Sequence, residues 1–427
     1  MTRPLLAFYG DDFTGSTDVL LQYHRFGLRG VLVLSPPDPD EARRLAETYD
    51  VIGVPGIARS LPTAEIGPAI RPALTALAAP GPWLVQYKIC STADSSPAVG
   101  GLGPALAIGR ELYGARPVPI LAAQPDLGRY TAFAHHFARD GAEVYRLDRQ
   151  PTMSRHPVTP MTESDLRVHV AAQTDLPVSG IDVRALEDGT AEARYRALAD
   201  QGALVLDAMT NDHLRAAARM IDRVRDGRPL FAIGSGGLSY GIAAHLTGRA
   251  PDLAPPPVLP PAPTLVVSGS CSALTAAQIR HAAAHGWATV PLEPDAAGAL
   301  PVAAASARAR AAFAAGAPGV VVHTALGAPT RDGGLPPERT GRAFAEIIRA
   351  CDGVRRVVVA GGDTSGHTVR ALGVAALDVA GPIGGNAVIC RSLADGRELV
   401  LKGGQIGVEE LFTTVQQGGS TSPAPLT

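Results

Sequence analysis

The chain has 427 residues, of which 46% are hydrophobic and 18% charged, and its formal net charge is −2. This length exceeds one ordinary hydrophobic core and predicts two domains. The near-neutral charge excludes the basic footprint of a nucleic-acid-binding protein, and no apolar run reaches the length of a membrane span. The N-terminus enters a strand without the regions of a signal peptide, so we expect a cytoplasmic protein.

The first predicted strand, LLAFYG, ends in two adjacent acids, Asp11 and Asp12, and a helix follows them. In open α/β sheets, ligands bind at the carboxyl ends of the strands, so this turn is a candidate site. The alternative is that Asp12, Thr14 or Ser16 only caps the helix. A cap explains one polar side chain, whereas two carboxylates between glycines favour a ligand site.

Strand-like runs alternate with helical patterns through the first half of the chain, which predicts βαβ units and a mainly parallel sheet. The later predicted strands are 31–35, 51–55, 83–90, 118–124, 203–209 and 230–235. Four strand ends of this half carry polar groups. Besides the two acids, these groups are Arg59 and Ser60, then Lys88, Ser91, Thr92 and Asp94, and then Gln124, Asp126 and Arg129. We expect these strand ends to bring their polar groups to one edge of the sheet, where hydroxyls and a lysine can hold an anion. The alternatives are a hydroxyl-rich loop with local bonds to its own backbone and arginines that lie on the solvated surface.

A proline-rich segment, residues 250–264, interrupts this alternation and is typical of an extended spacer. We therefore predict an N-terminal domain at 1–249 and a C-terminal domain at 265–417, followed by a flexible tail at 418–427. The second half again reads as strands and helices. It includes a hairpin that turns at Asp395 and Gly396 and a closing helix near 408–417.

Two glycine-bearing turns in the second half suit phosphate, because the free N–H groups at the start of a helix attract anions. One turn contains Gly361, Gly362, Asp363 and Thr364, and we expect Gly362 to permit close backbone approach with a positive φ. The other turn presents Ser270 and Ser272. Neither turn has Walker A or GxGxxG spacing, and a tight connection with a hydroxyl cap is the alternative.

Lysine occurs only twice among 38 basic residues, at Lys88 and Lys402. Each lies in a candidate ligand loop, one in each predicted domain. A compact ammonium reaches a phosphate or carboxylate as a point charge where a planar guanidinium is mis-aimed. Chance placement is the alternative.

Several segments, in order from residue 7 to 407, resemble motifs of the four-carbon acid sugar kinase family. These segments are GDDFTGSTD, KICSTADSS, HPVTPMTESDL, SGSCSALTAAQI, AGGDTSG and LKGGQIG. The resemblance implies two α/β domains, each with a mainly parallel sheet flanked by helices, and an active site in the interdomain cleft. The N-terminal domain is expected to bind the acid sugar, and the C-terminal domain is expected to bind the nucleotide.

The implied activity is ATP-dependent phosphorylation of the terminal hydroxyl of a small sugar acid in carbohydrate catabolism, with Mg²⁺ as the metal. We expect a small-molecule sugar acid and ATP as binding partners, no nucleic acid and no membrane, with a homodimer as one candidate assembly. Asp12 is the expected base and Asp11 its substrate or metal partner, although their order could be reversed. The expected substrate ligands are Thr14, Arg59, Ser60, Lys88, Ser91, Thr92 and Asp94. The expected nucleotide ligands are Ser270, Ser272, Gly361, Gly362, Asp363, Thr364, Lys402 and Gly403.

Ser16, Ala93 and the segment 58–60 depart from the family pattern near the acid-sugar site. These departures point to a relative of the tetronates, such as a branched oxo acid sugar.

Two other functions are considered. One is a non-catalytic sugar-acid sensor with a vestigial nucleotide site, which the intact glycine loops oppose. The other is a phosphatase with Asp11 as the nucleophile, although such enzymes normally use Asp-x-Asp.

Overall fold

The computed structural model describes residues 5–156, 158–253, 259–327, 335–384, 387–404 and 406–419. The chain divides into two compact units, Met1–Asp252 and Leu253–Thr427. Each unit is built of strands and flanking helices, which confirms the predicted two-domain α/β class. Within the proline-rich segment, residues 254–258 lie outside the described residues, as does the predicted tail from residue 420 onward.

The first unit carries eleven described strands and nine described α-helices. The strands are β1 Leu6–Gly10, β2 Gly30–Val33, β3 Val51–Pro55, β4 Leu84–Lys88, β5 Val118–Leu121, β6 Arg129–Ala132, β7 His135–Asp140, β8 Glu143–Arg146, β9 Val178–Ile181, β10 Ala203–Leu206 and β11 Leu230–Gly234. The helices are α1 Phe13–His24, α2 Pro39–Thr48, α3 Thr63–Ala78, α4 Gly103–Tyr113, α5 Leu166–Ala171, α6 Val183–Glu187, α7 Ala191–Ala197, α8 Asn211–Arg223 and α9 Gly236–Thr247.

The main sheet of the first unit has the strand order β2-β3-β1-β4-β11-β5-β10-β9, and all its pairs are parallel. Its central strands β1, β3, β4 and β11 are buried along their whole length, as expected for a parallel sheet covered on both faces. The chain runs from β1 outward to β2, returns through β3, and then crosses to β4 on the other side of β1. The carboxyl ends of β1 and β4 therefore form the switch point at which α/β sheets bind ligands.

The second unit carries seven described strands and five described α-helices. The strands are β12 Thr264–Ser268, β13 Ala288–Pro291, β14 Gly319–His323, β15 Arg356–Ala360, β16 Ala376–Gly384, β17 Ala387–Ser392 and β18 Glu398–Lys402. The helices are α10 Ala273–Ala284, α11 Val302–Ala314, α12 Pro337–Ala350, α13 Gly362–Leu372 and α14 Leu411–Gln417. No helix within the described ranges of the chain is long and apolar enough to cross a membrane.

The sheet of the second unit has the order β13-β14-β12-β15-β18-β17-β16. Its first five strands are parallel, and β17 and β18 form the predicted antiparallel hairpin. The order β13-β14-β12-β15 repeats β2-β3-β1-β4 of the first unit, so its switch point lies at the ends of β12 and β15. This places both glycine-bearing turns at neighbouring strand ends.

The antiparallel meander β6-β7-β8 is an element that the sequence patterns did not predict. Its first turn contains Phe133 and Ala134, which both have positive φ, at 52° and 68°. The buried Asp207 carboxylate accepts hydrogen bonds from both of their backbone N–H groups, at 2.5 and 2.9 Å, and from that of Val183 at 3.2 Å. The side chain of Asp207, which directly follows β10 of the main sheet, therefore holds a strained turn of the meander.

Replacing Asp207 should destabilise the first unit, because Asp207→Asn puts an amide donor against backbone donors. We expect a loss of about 2–3 kcal/mol in the free energy of unfolding. Urea denaturation followed by Trp83 fluorescence, in a Trp287→Phe background, measures this change. The exposed Asp200→Asn variant is the matched control, and equal stabilities of the two variants would contradict the role assigned to Asp207.

Candidate functional site

The two acids after β1 form a compact ionic cluster with Arg59. The Arg59 guanidinium donates from Nε to Asp11 Oδ2 at 3.1 Å and from Nη2 to Asp11 Oδ1 at 2.6 Å. The same Nη2 donates to Asp12 Oδ1 at 2.9 Å. The backbone also joins these segments, since the Arg59 N–H donates to the Asp11 carbonyl at 3.0 Å. The predicted association of the β1 and β3 strand ends is therefore present.

The two acids differ in environment. The Asp11 side chain is 5% exposed, whereas that of Asp12 is 17% exposed. Burial raises the pKa of Asp11 to about 6, and the adjacent Asp12 adds to the rise while Arg59 opposes it. Asp12 caps α1, because its Oδ1 accepts from the Gly15 N–H at 2.9 Å. The predicted cap is therefore confirmed, and the same carboxylate also pairs with Arg59, while a role of Asp12 in ligand binding stays a prediction.

Lys88 ends β4 beside these acids and is buried. Its Nζ donates to the Ile89 carbonyl at 2.7 Å. A Cβ added to Gly15 would lie 2.4 Å from Asp12 Oδ1 and 2.7 Å from Lys88 Nζ, so a side chain at this position would displace the two charged groups. The hydroxyl of Thr14 is buried, with no hydrogen-bond partner within the described ranges.

The loop after β4 is held from behind by the meander. His136 on β7 is fully buried, and its Nε2 bonds the Ser91 carbonyl at 2.8 Å while its Nδ1 bonds the Thr131 hydroxyl at 2.8 Å. Burial lowers the pKa of His136 to about 4, so the ring is neutral at physiological pH and Nε2 donates to the carbonyl. The Thr92 hydroxyl lies 2.9 Å from Cys90 Sγ.

Two other predicted substrate ligands have different surroundings. The Asp94 carboxylate accepts from the Thr159 hydroxyl, so the HPVTPM segment contacts the loop after β4. Ser60 is exposed at the end of the 3₁₀ helix Ala58–Ser60.

In the second unit, hydroxyl groups converge at the end of β12. Ser272 caps α10, and its Oγ accepts from the Thr275 N–H at 3.0 Å and donates to the Gly404 carbonyl at 2.6 Å. The Ser270 and Ser272 hydroxyls lie 3.1 and 3.0 Å from Thr275 Oγ1. The helical pattern of the sequence predicts a start at Thr275. Helix α10 begins two residues earlier, at Ala273, because Ser272 supplies the cap.

Lys402 completes this hydroxyl cluster from the end of β18. It is fully buried, and its Nζ lies 2.8 Å from Thr275 Oγ1. Burial lowers the pKa of Lys402 to about 7, and no charged group of the described residues opposes the shift. A buried ammonium with no counter-charge among those residues is costly, so an anion at this place would stabilise the charged form.

The glycine turn after β15 differs in detail from the prediction. Gly361 caps α13 with φ 127°, and its N–H donates to the Lys402 carbonyl at 2.9 Å. The expected positive φ at Gly362 is wrong, because that residue has an ordinary φ and begins the helix, and a Cβ there would meet nothing within 4 Å. Thr364 is buried against Gly269, since a Cβ added to Gly269 would lie 2.6 Å from Thr364 Oγ1.

Two more predicted nucleotide ligands belong to these turns. Asp363 lies in the first turn of α13, and its side chain is outside the described part of the chain. Gly403 follows β18, and its carbonyl accepts from the Ile406 N–H at 3.3 Å.

Sequence reasoning missed Thr275 and His136, which connect the candidate ligands. Thr275 stands three residues after a serine at a helix start, and this spacing is the signal that could have identified it. His136 had no such signal, because its strand was not predicted.

Two family models match the chain. The sugar-binding N-terminal domain matches residues 6–242, and the nucleotide-binding C-terminal domain matches residues 265–412. The 3-oxo-isoapionate kinase of Paraburkholderia graminis is 40% identical, with 97% of this chain and 94% of the relative covered. The 3-oxo-tetronate kinase of Pseudomonas fluorescens is 31% identical, with 96% of each covered.

Solved structures share the fold. A putative tRNA synthase from Salmonella typhimurium has a TM-score of 0.77 at 24% identity, with 97% of this chain and 99% of that chain covered. The Haemophilus influenzae protein HI1011 has a TM-score of 0.72 at 22% identity, with 96% and 99% covered.

The chain belongs to the four-carbon acid sugar kinase family, as its motifs indicate. Its enzyme class is that of a sugar-acid kinase, with ATP as the phosphoryl donor.

The state of Lys402 predicts a pH-dependent nucleotide affinity. With its pKa near 7, Lys402 is mostly neutral above that pH and must take up a proton when it meets a phosphate. Affinity for a non-hydrolysable ATP analogue should therefore fall between about pH 7.5 and about pH 9, by up to about tenfold per unit. Calorimetric titration measures the slope, which Lys402→Met should flatten; an unchanged slope in that variant would exclude Lys402 as its source.

Proposed function

We propose that the chain transfers the γ-phosphoryl group of ATP to the terminal hydroxyl of a branched 3-oxo acid sugar. The observation that supports the substrate class most directly is the 40% identity, over nearly the full chain, to a relative named 3-oxo-isoapionate kinase. The departures at Ser16 and Ala93 first suggested a branched substrate. That the two ligands react in a cleft between the domains stays a prediction.

We assign the ATP phosphates to the hydroxyl cluster and Lys402. Phosphoryl transfer requires positioning and positive charge along the phosphates. Lys402 brings a cation with no counter-charge among the described residues, and the start of α13 at Gly362 brings backbone N–H groups of the kind that bind anions. Gly361 supports this turn, because its positive φ and its bond to the Lys402 carbonyl join the two loops. Ser270 and Ser272 orient Thr275 and the Gly404 carbonyl beside the ammonium.

In the first unit, Asp12 is our choice for the base that receives the hydroxyl proton. It is the more accessible of the two acids, and it shares Arg59 with Asp11. Arg59 was expected to be a substrate ligand, but Nε and Nη2 already bind the acids, so these contacts favour a positioning role. Lys88 places positive charge beside Asp12, and the Thr14 hydroxyl, which bonds no group of the described residues, is our candidate for a bond to the substrate.

The donor set fits Mg²⁺ held chiefly by nucleotide phosphates. Mg²⁺ in kinase sites usually keeps several waters and takes one or two protein carboxylates besides the phosphates. Asp11 and Asp12 are a carboxylate pair of that kind, although Arg59 neutralises them in part. Bound Mg²⁺ would offset the charge of the transferring phosphoryl group.

A coupled assay of ADP release, with ATP and a panel of acid sugars, tests the proposed function. We expect the highest kcat/KM with a branched 3-oxo acid sugar and lower values with unbranched tetronates. A sensor protein would bind an acid sugar without releasing ADP. A phosphatase would release inorganic phosphate from a sugar phosphate without ATP. Either result would contradict the proposal.

The Asp12→Asn variant should retain ATP binding and lose turnover. Removing a positioned general base lowers the rate by about 10²- to 10⁴-fold. Asp38→Asn is the matched control, because Asp38 also caps a helix, accepting from the Glu41 N–H at 2.8 Å, and lies on the exposed surface. Steady-state kinetics with calorimetry of ATP binding decides the outcome, and more than half of wild-type kcat in Asp12→Asn would remove Asp12 from the reaction.

A further inference from the structure

Arg129, the first residue of β6, is anchored by one side of its guanidinium. Its Nη1 donates to the carbonyls of Leu127 at 2.8 Å, Gly128 at 3.4 Å and Arg139 at 3.3 Å. These three bonds fix the plane of the group against the start of the meander.

The other side of the same guanidinium is unused. Arg129 Nε is buried with no hydrogen-bond partner, and Nη2 donates to no group in the described part of the chain. Nε and Nη2 together form the edge of a guanidinium that pairs with a carboxylate through two parallel bonds. No carboxylate of the described residues is bonded to this edge. Burial lowers the pKa of Arg129 while the charge of Asp140 raises it, and the guanidinium stays charged at physiological pH.

Arg129 lies beside the acid-sugar loop. Its side chain shares a face of β6 with Thr131, whose hydroxyl bonds the His136 that holds the Ser91 carbonyl. Cys90 is close enough to interact electrostatically with both Arg129 and Arg59. The loop after β4 therefore lies near the guanidinium groups of Arg59 and Arg129. Arg59 is bonded to Asp11 and Asp12, whereas the Nε and Nη2 edge of Arg129 bonds no described group.

We propose that the Nε and Nη2 edge of Arg129 binds the carboxylate of the acid sugar and so selects acids over neutral sugars. This inference rests on the proposed function. Arg59 already uses its corresponding edge for Asp11, whereas the corresponding edge of Arg129 bonds no group of the described residues. A neutral polyol would leave the buried Nε donor unpaired, and a site of that kind rejects ligands that lack the partner group.

The test compares the Arg129→Gln and Arg129→Lys variants with Arg146→Gln, which removes the same charge from β8, where Arg146 is exposed and pairs with Asp148. In Arg129→Gln, kcat/KM for the acid sugar should fall about 10- to 100-fold, mainly through KM. Arg129→Lys should recover part of the loss, because lysine keeps the charge without the two-pronged geometry. Arg146→Gln should behave like the wild type.

A second readout separates ligand binding from structural support. The ratio of kcat/KM for the acid sugar to that for the corresponding polyol, measured in one preparation, does not depend on the fraction of folded protein. Our assignment predicts that this ratio falls in Arg129→Gln. An unchanged ratio, with equal losses for both compounds, would show that Arg129 only supports the meander and would overturn the assignment.

The two proposals fail in distinguishable ways. A wild-type protein that phosphorylates no sugar acid would contradict the proposed function itself. An active wild type with an equally active Arg129→Gln variant would contradict only the role of Arg129.

Discussion

Two adjacent carboxylates at the end of a buried strand require a cation, and the Arg59 guanidinium supplies it. Asp11 is almost wholly buried, and its pKa of about 6 reflects the balance between burial and this ion pair. The ion pair joins the end of β1 to the 3₁₀ turn after β3, and it leaves Asp12 more accessible than Asp11. Removing one partner of such a pair would leave an uncompensated charge. The shape of the candidate acid-sugar site therefore depends on this contact.

The two units repeat one strand order but distribute charge in opposite ways. At the first switch point, Arg59 partly neutralises the two acids. At the second, Lys402 is buried among hydroxyl groups, and no charged group of the described residues opposes its pKa shift. A unit with such a cation suits a highly charged ligand such as a triphosphate. A unit with two carboxylates that pair with an arginine of the same unit suits a ligand whose hydroxyl proton must be removed.

Sequence patterns predicted much of the fold, because buried parallel strands read as short apolar runs between amphipathic helices. They also placed Asp11, Arg59, Lys88 and Lys402 at strand ends. The meander β6-β7-β8 was missed, since its strands are short and polar and depend on distant partners such as Asp207. The same limit applies to side-chain roles: the sequence indicated that Arg59 lies at the site, but only its contacts show which groups occupy its donors.

We propose that the charged clusters of both units take part in one transfer of a phosphoryl group to a sugar hydroxyl. Phosphorus-31 NMR of a reaction with ATP and a branched 3-oxo acid sugar tests this proposal. We predict a new phosphomonoester resonance, assigned to the terminal carbon by its coupling to the adjacent protons, that grows in step with ADP. Release of ADP with inorganic phosphate alone, or an unchanged ATP spectrum with every acid sugar tried, would contradict the account.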